Sequence, residues 1–100
     1  MPKNHALDYR VAVEIMGLPA DTLPKDTKDY SSDTDHTAQL VEQMEKLGFA
    51  IKGPTLDHKK GLHSVTFYDA HGHIGQGEAA AWPDAACWAA LMALGREPPS

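Results

Sequence analysis

The most regular pattern of apolar and polar positions lies between Tyr30 and Gly48. Within it, apolar residues recur at the three- and four-residue spacing of one helix face: Leu40, Val41, Met44 and Leu47. The hydroxyl groups of Ser31 and Ser32 can accept hydrogen bonds from the first helical N–H groups, and Gly48 tolerates the left-handed conformation that ends a helix. The stretch therefore predicts an amphipathic helix, whose apolar side must be buried against the rest of the chain.

A shorter helical pattern precedes this stretch. Leu7, Val11 and Ile15 follow one another at four-residue intervals, while Asp8 and other charged residues fall on the opposite side. Asn4 is a candidate N-cap, because its side chain can accept a hydrogen bond from the first turn. We therefore predict a first helix that faces the core with its apolar side and the solvent with its charged side.

Residues 17–31 are predicted to form a long loop between the two helices. Pro19 and Pro24 interrupt the segment, and a polar run follows from Lys25 to Asp29, which leaves no helical or strand period. Connections of this length in compact domains are often binding loops, although plain spacers are as frequent. The sequence leaves both interpretations open.

Three short stretches after the amphipathic helix are typical of strands. Residues 49–52 alternate and stop at Gly53 and Pro54, and residues 64–68 place Val and Phe on one face with polar residues and Tyr on the other. The third stretch, residues 73–78, is interrupted by two glycines. We predict a strand there as well, because it completes a three-stranded antiparallel meander, whereas a lone hairpin would be marginally stable.

An alanine-rich helix is predicted over residues 83–94. Pro83 stands at a favoured first helical position, and Gly95 follows the last apolar residue. Because alanines allow neighbouring elements to approach closely, we expect this helix to be buried on most of its circumference. Residues 96–100 are predicted to be a flexible tail, and residues 1–100 a single α+β domain with the element order α-α-β-β-β-α.

Composition narrows the classes of function. The 100 residues are 42% hydrophobic, enough for the core of one small domain, and carry a formal net charge of −5. An acidic chain offers no positive field to a phosphate backbone, so direct nucleic-acid binding is not expected. The single cysteine, Cys87, excludes an intrachain disulfide, and no apolar run reaches the roughly 20 residues that span a bilayer. We therefore expect a cytoplasmic protein that has no membrane partner.

Three sequence blocks stand in an order and spacing that a known family shares. The first is LDYRVAVEIMGL at residues 7–18, and the second combines YSSD at residues 30–33 with LVEQM at residues 40–44. The third is the alanine-rich segment of residues 83–94, in which Cys87 is followed two residues later by Ala-Ala-Leu. With these blocks the chain resembles the phage ABA sandwich domain, a family of small phage and prophage proteins.

The resemblance covers residues 7–94 and implies a fold and an origin. The fold would be a three-layer α/β/α sandwich, with helices on both faces of a three-stranded antiparallel sheet. The origin would be a phage, with action in the cytoplasm of the infected host, and no catalytic residue is implied. The chain departs from the family pattern at Leu18 and Ala38, where the family has Trp, and in the middle strand, which lacks the family's Trp.

The chain has six histidines, and a metal site is a possible interpretation of them, above all of His71 and His73 beside Asp69. A zinc site needs three or four ligands with supporting hydrogen bonds, which these residues do not supply. We therefore expect solvated turn histidines and no bound metal or other cofactor. Cys87, in the middle of an alanine-rich helix, is expected to be a core residue rather than a nucleophile. Accordingly, we do not expect an enzyme.

An acidic set flanks the start of the amphipathic helix. It lacks the central glycine and the terminal glutamate of an EF-hand loop, and we interpret it as helix-start charge and solvated loop. The same region and the turn histidines nevertheless supply the candidate residues for binding a ligand or partner: Asp26, Asp29, Tyr30, Asp33, His71 and His73.

These observations lead to three hypotheses about function. The first is a non-enzymatic phage accessory protein that binds a host protein, for instance a counter-defence inhibitor such as an anti-CRISPR. The alternative is an oligomeric binder of a small ligand, such as a sponge for a nucleotide signal, with a pocket between protomers formed by the 17–31 loop and the strand turns. The third, which the ligand count favours least, is a metal-dependent hydrolase that uses His71 and His73.

Overall fold

The computed structural model describes residues 5–19, 21 and 27–95 of the chain. These residues form three helices and three strands: α1 (His5–Glu14), α2 (Thr34–Lys46), β1 (Ala50–Asp57), β2 (Leu62–Tyr68), β3 (Ile74–Ala79) and α3 (Trp82–Ala93). The predicted α+β class and the order α-α-β-β-β-α are confirmed. The predicted cap Asn4 and the predicted tail 96–100 lie outside the described residues. No helix within the described ranges is long and apolar enough to cross a membrane.

The sheet is an antiparallel meander in the order β1-β2-β3, as predicted, but β1 is longer than its sequence pattern indicates. The prediction that Gly53 and Pro54 end this strand is wrong. The register shifts between Lys52 and Thr55, and pairing with β2 then continues to Asp57. A bulge of this kind adds residues to one strand and bends it without ending the pairing.

The two faces of the sheet differ because side chains alternate along each strand. The face toward the helices carries Val65 and Phe67 of β2, both 0% exposed, and Gly75 and Gly77 of β3. α3 packs against these two strands. An ideal Cβ on either glycine would overlap backbone atoms of Ala89 in α3. The absence of two side chains therefore allows α3 to lie directly on β3.

The helices are arranged around α3. α2 packs against β1 and α3, and α1 packs against α3. Most residues of α3 are buried, as its alanines predict. The layering differs from the expectation of helices on both faces, because no described helix covers the opposite face of the sheet. That face is largely polar, so a helix placed on it would bury little apolar surface.

The apolar core lies where α3 meets the other elements. Its fully buried side chains come from α1, α2, β2 and α3: Leu7, Val11, Leu40, Met44, Val65, Phe67 and Leu91. Burial of a side chain of this size is worth about 1.5–3 kcal/mol relative to its exposure. These contacts therefore hold the three helices to one another and to the sheet.

The predicted exposure of Asp8 on the charged side of α1 is wrong. Its side chain is 1% exposed, and its Oδ1 accepts a hydrogen bond from the backbone N–H of Ser31 at 2.8 Å. A buried N–H that lacked an acceptor would cost about 1–3 kcal/mol. The carboxylate thus joins α1 to the turn before α2, and helical periodicity could not reveal a partner that lies 23 residues away in the chain.

Candidate functional site

A polar groove crosses the face of the sheet that points away from the helices, which we call the outer face. The groove encloses about 640 Å³ and is lined by residues of all three strands: Lys52, Thr55, Asp57, Leu62, Ser64, Thr66, Gln76 and Glu78. All of these except Leu62 are polar. The groove is therefore suited to hydrogen bonding and to charge pairing more than to apolar burial.

The strand register places these side chains in rows across the outer face. Lys52, Thr66 and Gln76 stand side by side in what we call the middle row. The next row, toward the β1–β2 turn, contains Thr55, Ser64 and Glu78. Neighbouring strands lie about 4.8 Å apart, so each row is about 10 Å wide between its outer Cα atoms. A bound partner could therefore contact all three strands at once.

The groove carries charges of both signs. Lys52 lies in the middle row, Glu78 lies in the next, and Asp57 lies at the end of β1. Asp57 also shapes the hairpin turn, because its Oδ1 accepts hydrogen bonds from the backbone N–H groups of Lys59 at 2.9 Å and Lys60 at 3.3 Å. Separate positive and negative positions can select a partner of complementary charge.

The predicted binding residue Asp33 supports the first turn of α2. It is the N-cap, and its Oδ1 accepts hydrogen bonds from the backbone N–H groups of Asp35 at 2.9 Å and His36 at 3.4 Å. The capping role predicted for Ser31 and Ser32 is therefore wrong. A carboxylate at this position satisfies two otherwise unpaired N–H groups and lies at the positive end of the helix dipole.

Asp29 and Tyr30 also make contacts that order this turn. The backbone N–H of Asp29 donates to Nδ1 of His36 at 3.0 Å, and the Tyr30 carbonyl accepts from Oγ1 of Thr37 at 2.7 Å. Tyr30 is 2% exposed, and burial, with nearby negative charge, raises the pKa of its hydroxyl above 10.0. Asp26 lies outside the described residues. A binding role for these residues remains a prediction.

The two predicted histidines lie in the β2–β3 turn, where they share Asp69. Its Oδ1 accepts hydrogen bonds from the backbone N–H groups of His71 at 3.0 Å and His73 at 2.8 Å, and its Oδ2 lies 2.9 Å from Nδ1 of His73. The His73 ring is thereby oriented with its second nitrogen directed away from the carboxylate. A hollow of about 420 Å³ adjoins the pair and is otherwise lined by Phe49, Ala93, Leu94 and Gly95.

The structure does not bring the two halves of the predicted site together. Asp33 precedes α2, whereas the hollow beside His73 contains Phe49, which follows α2. The 13 residues of α2 separate these ends by about 20 Å at 1.5 Å per residue. Among the described residues, no group of three or more His, Cys, Asp or Glu side chains is arranged to hold a metal ion.

Substitution of Asp69 by Asn is expected to lower stability more near neutral pH than in acid. Burial alone would raise the pKa of Asp69, but the hydrogen bonds from the His73 side chain and from the backbone of His73 and His71 outweigh it and lower that pKa below 3.8. A carboxyl group whose pKa is lower in the folded state stabilises the fold above its unfolded pKa, and this contribution is lost as the pH falls through the folded value. The difference in urea-unfolding midpoint between wild type and variant should therefore be smaller at about pH 2.5 than at about pH 7.

The exposed Glu45→Gln substitution on α2 removes one carboxylate without disturbing this turn and serves as the matched control. It should leave the midpoint close to that of the wild type at both values of pH. If Asp69→Asn lowered the unfolding midpoint by the same amount at both values of pH, the ionised carboxylate of Asp69 would not be what stabilises this turn.

Cys87 is a core residue, as its alanine-rich surroundings predict. Its side chain is 0% exposed in the middle of α3. Burial, together with the carboxylates of Asp8 and Asp84, raises the pKa of the thiol well above 9.0. Because the thiolate is the nucleophilic form of cysteine, this thiol is unsuited to covalent catalysis.

The outer face is the part of the candidate site that the sequence analysis misses. A partial signal is present, because Ser64 and Thr66 alternate with Val65 and Phe67 along β2. That alternation identifies a polar face but not its neighbours. Lys52 and Gln76 join the middle row only through the register of β1 and β3, which no local pattern specifies.

Comparison with known proteins gives a structural match. No family model and no curated protein sequence matches the chain. A 2.0 Å crystal structure of a phage protein from Bacillus cereus ATCC 14579 matches with a TM-score of 0.77, over 99% of this chain and 94% of that chain, at 23% sequence identity. At this identity the likeness shows a shared fold. Membership of the phage ABA sandwich family therefore remains a prediction from the sequence blocks.

Proposed function

We propose that this chain is a phage-encoded binding protein without catalytic chemistry, which occupies a host protein through its outer face and thereby counters a host defence. The observation that carries the proposal is a concave, polar surface built by all three strands and left open by the described helices. A solvated face is ordinary for an antiparallel sheet. The support therefore comes from the concavity of this face and its mixed charges, not from its exposure alone.

The outer face also carries apolar side chains beside the groove. Tyr68 and Ile74 are paired across β2 and β3 in the row next to the middle row, and they are 44% and 65% exposed. Protein interfaces commonly combine an aromatic or aliphatic anchor with a polar rim that accepts hydrogen bonds. The combination of this pair with the polar groove favours a protein surface as the occupant.

The chemistry of the described residues favours occupancy over catalysis. The thiol of Cys87 is buried and its pKa is raised. The Asp69–His73 pair adjoins a hollow whose other lining residues offer no nucleophilic side chain. A histidine oriented by a carboxylate acts as a general base in enzymes when a nucleophile lies within reach. We therefore assign no reaction to this pair.

A phage setting is supported by two likenesses. The B. cereus structure, which shares the fold, is described as a phage protein. Three blocks of the sequence resemble a family of small phage and prophage proteins. A small acidic phage protein without catalytic groups acts by binding, and host defence proteins are partners whose occupation would benefit a phage. The choice of a host defence protein as the partner rests on the likeness to phage proteins and not on a contact in the structure.

The proposal is tested with a pair of charge reversals. Lys52→Glu reverses one charge in the middle row of the outer face. Lys46→Glu reverses one charge at an exposed position of α2, away from the outer face. Each variant and the wild type would be expressed in bacteria that carry single defence systems, and phage plating would be measured. We expect the wild type to restore plating on a sensitive host. Lys52→Glu should lose at least about tenfold of this effect, because a tenfold weaker complex needs a loss of only about 1.4 kcal/mol of binding free energy and a plating assay amplifies such a loss when the target is not saturated. Lys46→Glu should retain the effect. Equal loss in both variants, or no loss in either, would contradict a role for the outer face.

A small polar ligand is the second candidate for the same groove. Its volume of about 640 Å³ falls within the range of about 300–1,000 Å³ that is typical of small-ligand sites. Native mass spectrometry of the protein purified from infected cells separates the two possibilities. A bound host protein supports the first proposal, whereas a bound small molecule that Lys52→Glu releases favours the second.

A further inference from the structure

The two edges of the sheet differ in their capacity to pair with another strand. The β1 edge is interrupted by the bulge between Lys52 and Thr55, which contains Pro54, a residue without a backbone N–H. The β3 edge, Ile74–Ala79, pairs with β2 without any register shift and contains no proline. A regular, exposed edge strand is a template for another chain, and natural proteins commonly blunt such edges with bulges and prolines. Here β1 is blunted and β3 is not.

The hydrogen-bonding pattern identifies the backbone groups on the β3 edge. The N–H of Asp69 donates to the carbonyl of His73 at 3.1 Å, which makes these two residues a hydrogen-bonded pair at the start of the β2–β3 ladder. Hydrogen-bonded and non-hydrogen-bonded pairs alternate along an antiparallel ladder. The backbone groups of Gly75 and Gly77 therefore point toward β2. Those that point toward the open edge belong to Ile74, Gln76 and Glu78.

All three residues are exposed, and their side chains lie on the outer face. Outside the ladder with β2, no backbone hydrogen bond in the described part of the chain involves them. Each residue offers one N–H and one C=O. The edge thus presents a short, evenly spaced row of donors and acceptors, which is the surface that an additional antiparallel strand requires.

We propose that two copies of the chain pair through β3, antiparallel and centred on Gln76, to form one six-stranded sheet. In this register Gln76 faces Gln76 of the second copy, and Ile74 faces Glu78 in both directions. All three outward-facing residues then exchange both backbone hydrogen bonds, which no other two-fold register of this strand achieves. A two-fold axis perpendicular to the sheet also keeps both outer faces on the same side.

Pairing through β3 also involves α3, which packs against β2 and β3 and lies directly on β3. The side of α3 that faces the open edge would therefore face the second copy. The Cβ of Trp88 lies over Gly77, and Met92, one turn further, is 48% exposed. Pairing would cover this exposed side of α3 as well as the strand edge.

The pairing would join the two grooves. Gln76 and Glu78 line the groove and also stand on the β3 edge. In the paired sheet, the middle row of one copy continues directly into the middle row of the other. The second copy therefore contributes Gln76 and Glu78 to a shared surface twice as wide as one groove.

Spin labels and sedimentation test the pairing on the full chain. Sedimentation velocity is expected to give about twice the monomer mass of 10.9 kDa. Nitroxide labels on Gln76→Cys should lie close enough for strong dipolar broadening. Labels on Lys52→Cys, five strand spacings apart across the middle rows, should lie about 24 Å apart at their Cα atoms. The buried native Cys87 should take up no label in the folded protein.

Charge repulsion provides the second test. Gln76→Lys places two like charges directly opposite each other, which destabilises cross-strand pairs, and should raise the dimer dissociation constant at least tenfold with an unchanged far-ultraviolet spectrum. Ala50→Lys adds the same charge to the exposed outer face of β1 and should leave the dimer intact. A wild-type monomer at all concentrations, or a dimer whose Gln76 labels are far apart, would overturn the proposal. Neither result would bear on whether the outer face binds a host protein.

Discussion

A single methyl group at Gly75 or Gly77 is expected to destabilise the protein by at least about 3 kcal/mol, at or beyond the upper end of ordinary overpacking. An ideal Cβ at Gly75 would overlap backbone atoms of Ala89 and Ala93, and one at Gly77 would overlap backbone atoms of Ala85 and Ala89. Backbone atoms cannot move aside by a change of rotamer. Gly75→Ala and Gly77→Ala must therefore push α3 away from the sheet, and urea unfolding followed by circular dichroism would measure the loss.

The two Gly→Ala substitutions should lower the free energy of unfolding, whereas the same substitution usually raises it where there is space for the methyl group. In open space a Gly→Ala substitution at a compatible conformation stabilises a protein by about 0.4–1 kcal/mol, because it restricts the unfolded chain. Gln76→Ala, between the two glycines but on the exposed outer face, is the matched control and should change the free energy of unfolding by no more than about 1.5 kcal/mol. Stabilisation by either Gly→Ala variant would show that α3 does not lie directly on β3.

Leu40→Ala is expected to cost about 2–5 kcal/mol, the range found when a large buried aliphatic side chain is removed. Leu40 lies on the buried side of α2 and is 0% exposed. Its loss leaves a cavity that the surrounding core fills only in part. Chemical unfolding gives the difference in free energy directly.

Leu47 provides the control, since it caps the same helix and is 49% exposed. Leu47→Ala removes the same atoms from a site in contact with water, so we expect a cost below about 1 kcal/mol. Similar costs for the two leucines would contradict the orientation of α2. The sequence period places both leucines on the apolar side of α2, and for Leu47 that expectation is wrong, because the helix ends at this residue and leaves its side chain half exposed.

The elements that the sequence predicts well are those whose signals are local. The period of Leu40 and Met44 and the alanine content around Cys87 each depend on neighbours within a few residues. β3 is also predicted from the sequence, although Gly75 and Gly77 are residues that usually disfavour a strand. Their role becomes apparent only when α3 is placed over them, since close approach is a property of two elements together.

The elements that the sequence misses depend on distant partners. Asp8 occupies a polar position of α1, and its burial results from a backbone N–H that the turn before α2 provides. Gly53 and Pro54 are a common stop signal, yet β1 continues beyond them because β2 offers a further stretch of partners. In each case a tertiary contact overrides a local preference.

The candidate binding residues show the same division. Asp33 is a candidate binding residue because of its charge, and that charge acts locally, in capping α2. The outer face is assembled from three strands whose mutual register is fixed only by folding. A charged residue such as Asp33 is evident from the sequence, whereas the grouping of Lys52, Thr66 and Gln76 depends on strand register.

The enclosure of α3 has a consequence for synthesis on the ribosome. α1, α2 and the whole meander precede α3 in the chain, yet each helix and two of the strands pack against it. Until residues 82–93 leave the exit tunnel, the nascent chain lacks the surface against which β2 and α1 pack in the folded protein. The core can therefore close only after α3 has been translated, and until then the earlier segments expose apolar surface of the kind through which incompletely folded chains aggregate.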